Sequence, residues 1–152
     1  KLKKDPTFGV TLHSPNGIED ENKINNILTS MVVLPLEFPP KFVLQLHTNN
    51  VNRANENAFT ISDSDGEVHY SDGNFEDDTD YNYSVKLNKG CYQFLFSDKM
   101  EDGISVHWWN RNSDPDKVGI NGSVKILSID GDELHIFRPD FGQELRLNFV
   151  VE

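Results

Sequence analysis

Carboxylates are the groups in this chain with the most evident chemistry. Asp98, Glu101 and Asp102 precede Gly103 in one short polar segment. Calcium takes ~6–8 oxygen ligands from carboxylates, amides and backbone carbonyls, and loops supply these readily. Asp98, Glu101 and Asp102 are therefore candidate calcium ligands. The segment does not match an EF-hand loop: Met100 stands where another acid or amide belongs, and Trp109 stands where the closing Glu belongs. The alternative is a structural Asp-Gly turn, in which Asp98 accepts backbone N–H groups and Gly103 supplies a positive φ at the turn. A second acidic segment, with Glu76, Asp77, Asp78 and Asp80, reads as a solvated loop between strands. Asp114 and Asp116 share a third with Asn110 and Asn112.

Aromatic residues follow directly. Trp108 and Trp109 close the run Ile104-Ser105-Val106-His107. In a strand the two indoles face opposite ways. Trp108 then joins Ile104 and Val106 on the core side, and Trp109 joins Ser105 and His107 on the other. An exposed indole stacks on the C–H face of a sugar ring, and nearby amides give directional hydrogen bonds. Trp109, His107, Asn110 and Asn112 are thus the candidate ligand face, for a glycan or for a protein. The competing reading has Trp109 covered by the loop at 110–118.

Other chemistry finds less support. The histidines His13, His47, His69, His107 and His135 lack the paired helical spacing of a catalytic zinc site, so each reads as an ordinary residue in or beside a strand. No Gly-x-Ser-x-Gly elbow and no phosphate-cradling Gly-rich loop is present. Cys91, in an apolar strand beside Tyr92, reads as a buried, inert thiol. Paired carboxylates do hydrolytic acid–base work at separations of ~5–9 Å. With 25 Asp and Glu in 152 residues, close pairs arise by chance, and spacing alone argues little for a hydrolase.

The elements that must position these groups are short strands. Phe42, Leu44 and Leu46 share one face, as do Tyr83, Val85 and Leu87, then Tyr92, Phe94 and Phe96, then Leu145, Leu147 and Phe149. A spacing of two is the mark of a half-buried strand. Asp63-Ser64-Asp65-Gly66 and Asp130-Gly131-Asp132 give two hairpin signals, and Asn88-Lys89-Gly90 suggests a third between 83–87 and 91–96. Helical signal is confined to 18–28, where three Asn leave at most one turn before a strand at 29–33. Pro35, Pro39 and Pro40 bar a regular strand across 35–40. The pattern predicts an all-β, antiparallel, jelly-roll-like β-sandwich of about ten strands. It is expected as a single domain over 8–152, after a linker remnant at 1–7 that opens Lys1-Leu2-Lys3-Lys4. Such a start suits a mature form, or a domain cut from a longer protein.

Composition narrows the partners. The 14 Lys and Arg against 25 Asp and Glu give a net charge of −11, which disfavours nucleic acid and anionic lipid. No apolar run approaches the ~18–20 residues needed to cross a bilayer, so no membrane insertion is expected. Ten Phe, four Tyr and two Trp supply a core, although only 36% of residues are hydrophobic.

Several spaced motifs have a familiar pattern. They are Phe42 to Asn50 (FVLQLHTNN), Ala58 to Ile61 with Gly66, and Leu87 to Phe94 (LNKGCYQF). Asp98, Glu101 to Ile104 (EDGI), Trp108-Trp109, Phe137 to Gly142 (FRPDFG) and Phe149 follow. Ser14 to Gly17 and Asn25-Asn26 add to it upstream. Together they resemble the accessory β-sandwich domains of large secreted or cell-surface bacterial proteins, such as peptide-N-glycosidase-F-like proteins and metallopeptidases. The resemblance implies a secreted or surface-attached, non-catalytic module associated with a larger hydrolase. It transfers no catalytic residue. Related modules often place a Ser or an acid where Lys99 and Met100 stand, a departure that weakens the calcium reading. A purely structural or partner-docking module and a small hydrolase using paired carboxylates are the alternatives.

Overall fold

A computed structural model describes residues 6–14, 17–109 and 119–152. Its contacts divide the chain into two compact units, Lys1–Pro35 and Leu36–Glu152. The fold is all-β, with eleven strands among the described residues.

The first unit is a two-stranded antiparallel sheet. Strand β1 (Thr7–Thr11) pairs with β2 (Ile27–Met31). A 3-10 turn over Lys23–Asn26 leads into β2, in line with the single turn expected there. Leu12 N–H donates to the Asn26 carbonyl (2.8 Å), and Val32 N–H donates to the Pro6 carbonyl (2.8 Å), which closes both ends of the pair. Phe8, Leu12, Leu28 and Met31 are exposed on it.

The second unit is built of two sheets. Its strands are β3 (Leu36–Phe38), β4 (Lys41–His47), β5 (Asn57–Asp63), β6 (Val68–Gly73) and β7 (Asp80–Lys86). They continue with β8 (Gly90–Asp98), β9 (Ser123–Leu127), β10 (Glu133–Ile136) and β11 (Glu144–Val151). One sheet has the order β10-β9-β4-β7 and the other β3-β11-β8-β5-β6. Their inward residues form a single core, in which Phe42, Leu44, Leu46, Val85, Val124 and Ile126 meet Phe59, Ile61, Phe94, Phe96, Phe149 and Val151. Rings bridge the layers: Phe42 lies edge-on to Phe149 (5.9 Å) and Phe59 edge-on to Tyr83 (4.8 Å). Each fully buried aromatic or aliphatic side chain contributes roughly 1.5–3 kcal/mol. The alternation seen in the sequence is thus the burial pattern of β4, β8 and β11.

Two of the three expected hairpins form. β5 and β6 pair across 63–67, where Gly66 has φ +85° and the Asp63 carboxylate accepts the N–H groups of Asp65 and Glu67 (both 3.0 Å). β9 and β10 pair across Gly131, at φ +91°. The third does not form: β7 pairs with β4, whereas β8 pairs with β5 and β11, so Asn88-Lys89-Gly90 carries the chain from one sheet to the other. A tight polar turn serves equally for a hairpin and for a sheet-to-sheet corner; which one forms depends on the strands already in place.

Three further expectations are corrected. A three-residue strand does form between the prolines, as β3, at a sheet edge and parallel to β11. That position suits Pro-flanked backbone, because an edge strand needs only one side of its ladder. Cys91 is exposed, since the inward direction of Tyr92, Phe94 and Phe96 on β8 sends it outward. Residues 104–109 do not form a strand, so the alternation expected of Trp108 and Trp109 has no basis there.

Candidate functional site

β8 ends at Asp98, which is 2% exposed at the margin of the core. The chain then wraps around its carboxylate. Oδ1 accepts the N–H of Met100 (3.2 Å), and Oδ2 accepts those of Asp102 (2.8 Å) and Gly103 (2.7 Å). Glu101 and Gly103 take positive φ, +63° and +68°, to close the turn. A Cβ on Gly103 would lie 2.6 Å from the Pro139 carbonyl oxygen, so only glycine fits. The structural Asp-Gly turn expected from the sequence is therefore present.

The expected metal ligands are only partly brought together. Carboxylate oxygens of Glu56, Asp98 and Asp102 lie within 4.8 Å of one another. Glu101 is exposed and stands outside this trio. Glu56 enters from the 3-10 turn Ala54–Glu56, and its carbonyl accepts the Lys99 N–H (3.2 Å). Arg53 Nη1 lies 3.2 Å from Glu56 Oε1 and 3.9 Å from Asp102 Oδ2. Burial pushes the Asp98 carboxyl upward, against the downward pull of its three backbone N–H donors, and the Asp102 charge adds to the rise. Burial likewise raises Glu56, opposed by Arg53.

Glu56 is remote in sequence from the turn it joins. The signal that locates it is strand register: Asn57, the next residue, stands directly opposite Asp98 in the β5–β8 ladder. Asp77, expected only as part of a solvated loop, is also a structural group. Instead of being merely solvated, its carboxylate accepts the N–H groups of Asn52, Arg53 (3.1 Å) and Ala54 (3.0 Å), and so holds the turn that carries Arg53 and Glu56. Asp78 and Asp80 flank His47, at 3.6 and 3.0 Å.

Beyond Gly103 the chain is pinned by neighbouring loops. Ile104 N–H donates to the Pro139 carbonyl (2.9 Å), Gly122 N–H to the Ile104 carbonyl (2.8 Å), and Val106 N–H to Asn121 Oδ1 (2.7 Å). These tertiary bonds occupy backbone groups of Ile104 and Val106 that a strand ladder would use. Phe137 and Phe141 bury against Phe94 and Phe96, as expected of a loop held at both ends by aromatics.

An aromatic group ends the segment. The rings of His107 and Trp109 stack in parallel, with centroids 4.3 Å apart and an interplanar angle of 2°. Trp108 meets Trp109 edge-on at 5.7 Å. His107 Nε2–H donates to the Asp102 carbonyl (3.2 Å), which ties the stack to the acidic turn. Trp109 is 55% exposed and Trp108 81%. The expected core position of Trp108 is therefore corrected: with no strand to alternate, both indoles face outward. Asn110 and Asn112, the other two residues of the expected ligand face, lie outside the described residues.

No protein-family model, curated protein or solved structure matches the chain. Among the described residues, no helix is long and apolar enough to cross a membrane.

Proposed function

We propose that this chain is a non-catalytic accessory domain of a secreted or cell-surface bacterial protein, and that it binds glycan through His107, Trp108 and Trp109. The observation that carries the glycan reading is the exposure of Trp109 with a parallel imidazole behind it. A sugar ring needs a flat, accessible π-face, and a stacked partner fixes the plane of that face before the ligand arrives. The acidic surface suits a neutral sugar better than an anionic one. The accessory role and its extracytoplasmic location rest on the motif resemblance at Phe42–Asn50, Glu101–Ile104 and Phe137–Gly142.

The jelly-roll reading is supported by the strand order. Leaving β3 aside, β10-β9-β4-β7 faces β11-β8-β5-β6, and successive strands change sheet except at β5–β6 and β9–β10. Such alternation between facing sheets is the habit of a double Greek key, here entered part-way along its circuit.

A hydrolase would need carboxylates open to a substrate. Asp98 is buried, and both its oxygens accept backbone N–H groups, which counts against its use as a catalytic acid or base. The test is a glycan array probed with the wild-type chain, Trp109→Ala and Trp108→Ala. Signals on a subset of neutral glycans should fall for Trp109→Ala. Equal signals from wild type and Trp109→Ala, or none from wild type, would overturn the glycan reading.

A further inference from the structure

The carboxylate trio holds more negative charge than its surroundings answer. Among the described residues, the guanidinium that meets the trio is that of Arg53, which reaches Glu56 and Asp102. One oxygen of the trio and one of Asn57 are orphaned: Asp102 Oδ1 and Asn57 Oδ1 are buried with no hydrogen-bond partner among the described residues.

Asn57 is the independent observation. It is 3% exposed, and its Nδ2 is used, donating to the carbonyls of Arg53 (3.1 Å) and Ala54 (3.4 Å). Its carbonyl oxygen is not. Directly opposed residues of an antiparallel pair project to the same face with Cβ atoms ~4.5–5.5 Å apart. Asn57 and Asp98 are such a pair, both buried, so the Asn57 side chain leaves the sheet on the same face as the Asp98 carboxylate. A buried carbonyl oxygen without a donor is costly. A cation satisfies it and the carboxylates together.

We infer that Glu56, Asp98, Asp102 and the amide oxygen of Asn57 form a calcium site, and that Arg53 is the group a bound ion displaces. The donors are all oxygen, which selects a hard divalent ion over a transition metal. Water and backbone carbonyls complete the ~6–8 ligands calcium takes. Arg53 is part-exposed, so its long side chain can turn outward to solvent when the ion enters. Glu101, the third ligand expected from the sequence, has no part in this site. The inference is independent of the glycan reading.

The experiment uses the full chain in about 0.15 M salt, which screens weak attraction of calcium to exposed acids. Terbium(III) serves as an optical probe, since Trp109 stacks on His107 and His107 bonds to the Asp102 carbonyl. Tryptophan excitation should give saturable terbium emission that calcium displaces. Calcium at about a hundred times its Kd should raise the unfolding midpoint by roughly 5–10 °C. Asp102→Asn should weaken calcium binding at least about tenfold, and Glu101→Gln should leave it unchanged. Arg53→Gln, which removes the competing cation, should tighten it. If Asp102→Asn fails to fold, the Arg53→Gln arm decides. Greater calcium stabilisation of Arg53→Gln than of wild type supports the site, and equal or smaller stabilisation overturns it. Absence of both emission and midpoint shift in wild type overturns it, as does an undiminished shift in folded Asp102→Asn.

Discussion

The Asp98 carboxylate accepts the Gly103 N–H at 2.7 Å, which makes the last residue of β8 the anchor of the loop that follows it. Two further backbone N–H groups, of Met100 and Asp102, end on the same carboxylate. Asp98→Ala leaves these donors unanswered at the margin of the core and should cost about 3 kcal/mol, given ~1–3 kcal/mol for each buried unsatisfied group and some access of water after the change. Urea unfolding of wild type and variant, each in chelator, measures this. A loss under about 0.5 kcal/mol, the range of an ordinary surface change, would show that the carboxylate does not hold the turn.

Glycine positions separate backbone strain from crowding. Gly103 and Gly131 both have positive φ, but a Cβ at Gly103 meets the Pro139 carbonyl oxygen at 2.6 Å, whereas one at Gly131 meets nothing within 4 Å. Gly131→Ala should cost about 1–2 kcal/mol, the left-handed backbone penalty. Gly103→Ala should cost more, because the Pro139–Phe141 segment must also move. Equal losses in thermal unfolding would contradict the close approach.

Much of this geometry is legible in the residues. The alternation of Phe42, Leu44 and Leu46, and of Tyr92, Phe94 and Phe96, reports two strands whose inner faces are buried in the core. Asp63-Ser64-Asp65-Gly66 reports its hairpin because the turn is self-contained. Asn88-Lys89-Gly90 misleads because the sheet each strand joins is set by partners far along the chain. Trp108 misleads for a related reason: Asn121 and Pro139 claim the backbone of 104–106, and no local pattern records them. The trio is half legible. Asp98 and Asp102 lie within one turn, but Glu56 arrives through the pairing of β5 with β8.

His135 gives the pH dependence a sign. Burial holds its imidazole below the ordinary value, beside Phe137 at 4.4 Å. The unfolded chain therefore takes up the proton first as pH falls. Its contribution to stability is whole above about 6.5 and is lost as pH falls through the depressed folded value. His135→Gln removes that loss, so the midpoint of wild type relative to the variant should decline between about pH 7.5 and 5.5. A constant difference across that range would refute it.

Phe149 and Trp108 mark the two extremes of aromatic burial. Phe149 touches the rings of Phe38, Phe42 and Tyr92 and joins both sheets. Phe149→Ala should cost about 3–5 kcal/mol. Trp108→Ala should change stability by no more than about 0.5 kcal/mol, since its ring is mostly in water. Chemical denaturation of both variants checks the pair, and a large loss for Trp108→Ala would mean that its ring supports the fold.

The short parallel strand β3 has a consequence for biosynthesis. Leu36, Glu37 and Phe38 have their ladder partners in Phe149, Val150 and Val151, nearly the whole length of the second unit away. A nascent chain emerging from the ribosome carries that strand unpaired until the distant segment follows, and loop closure over such a span is slow. Phe38, which ends between Phe42 and Phe149, therefore cannot complete its packing until synthesis has passed Val151.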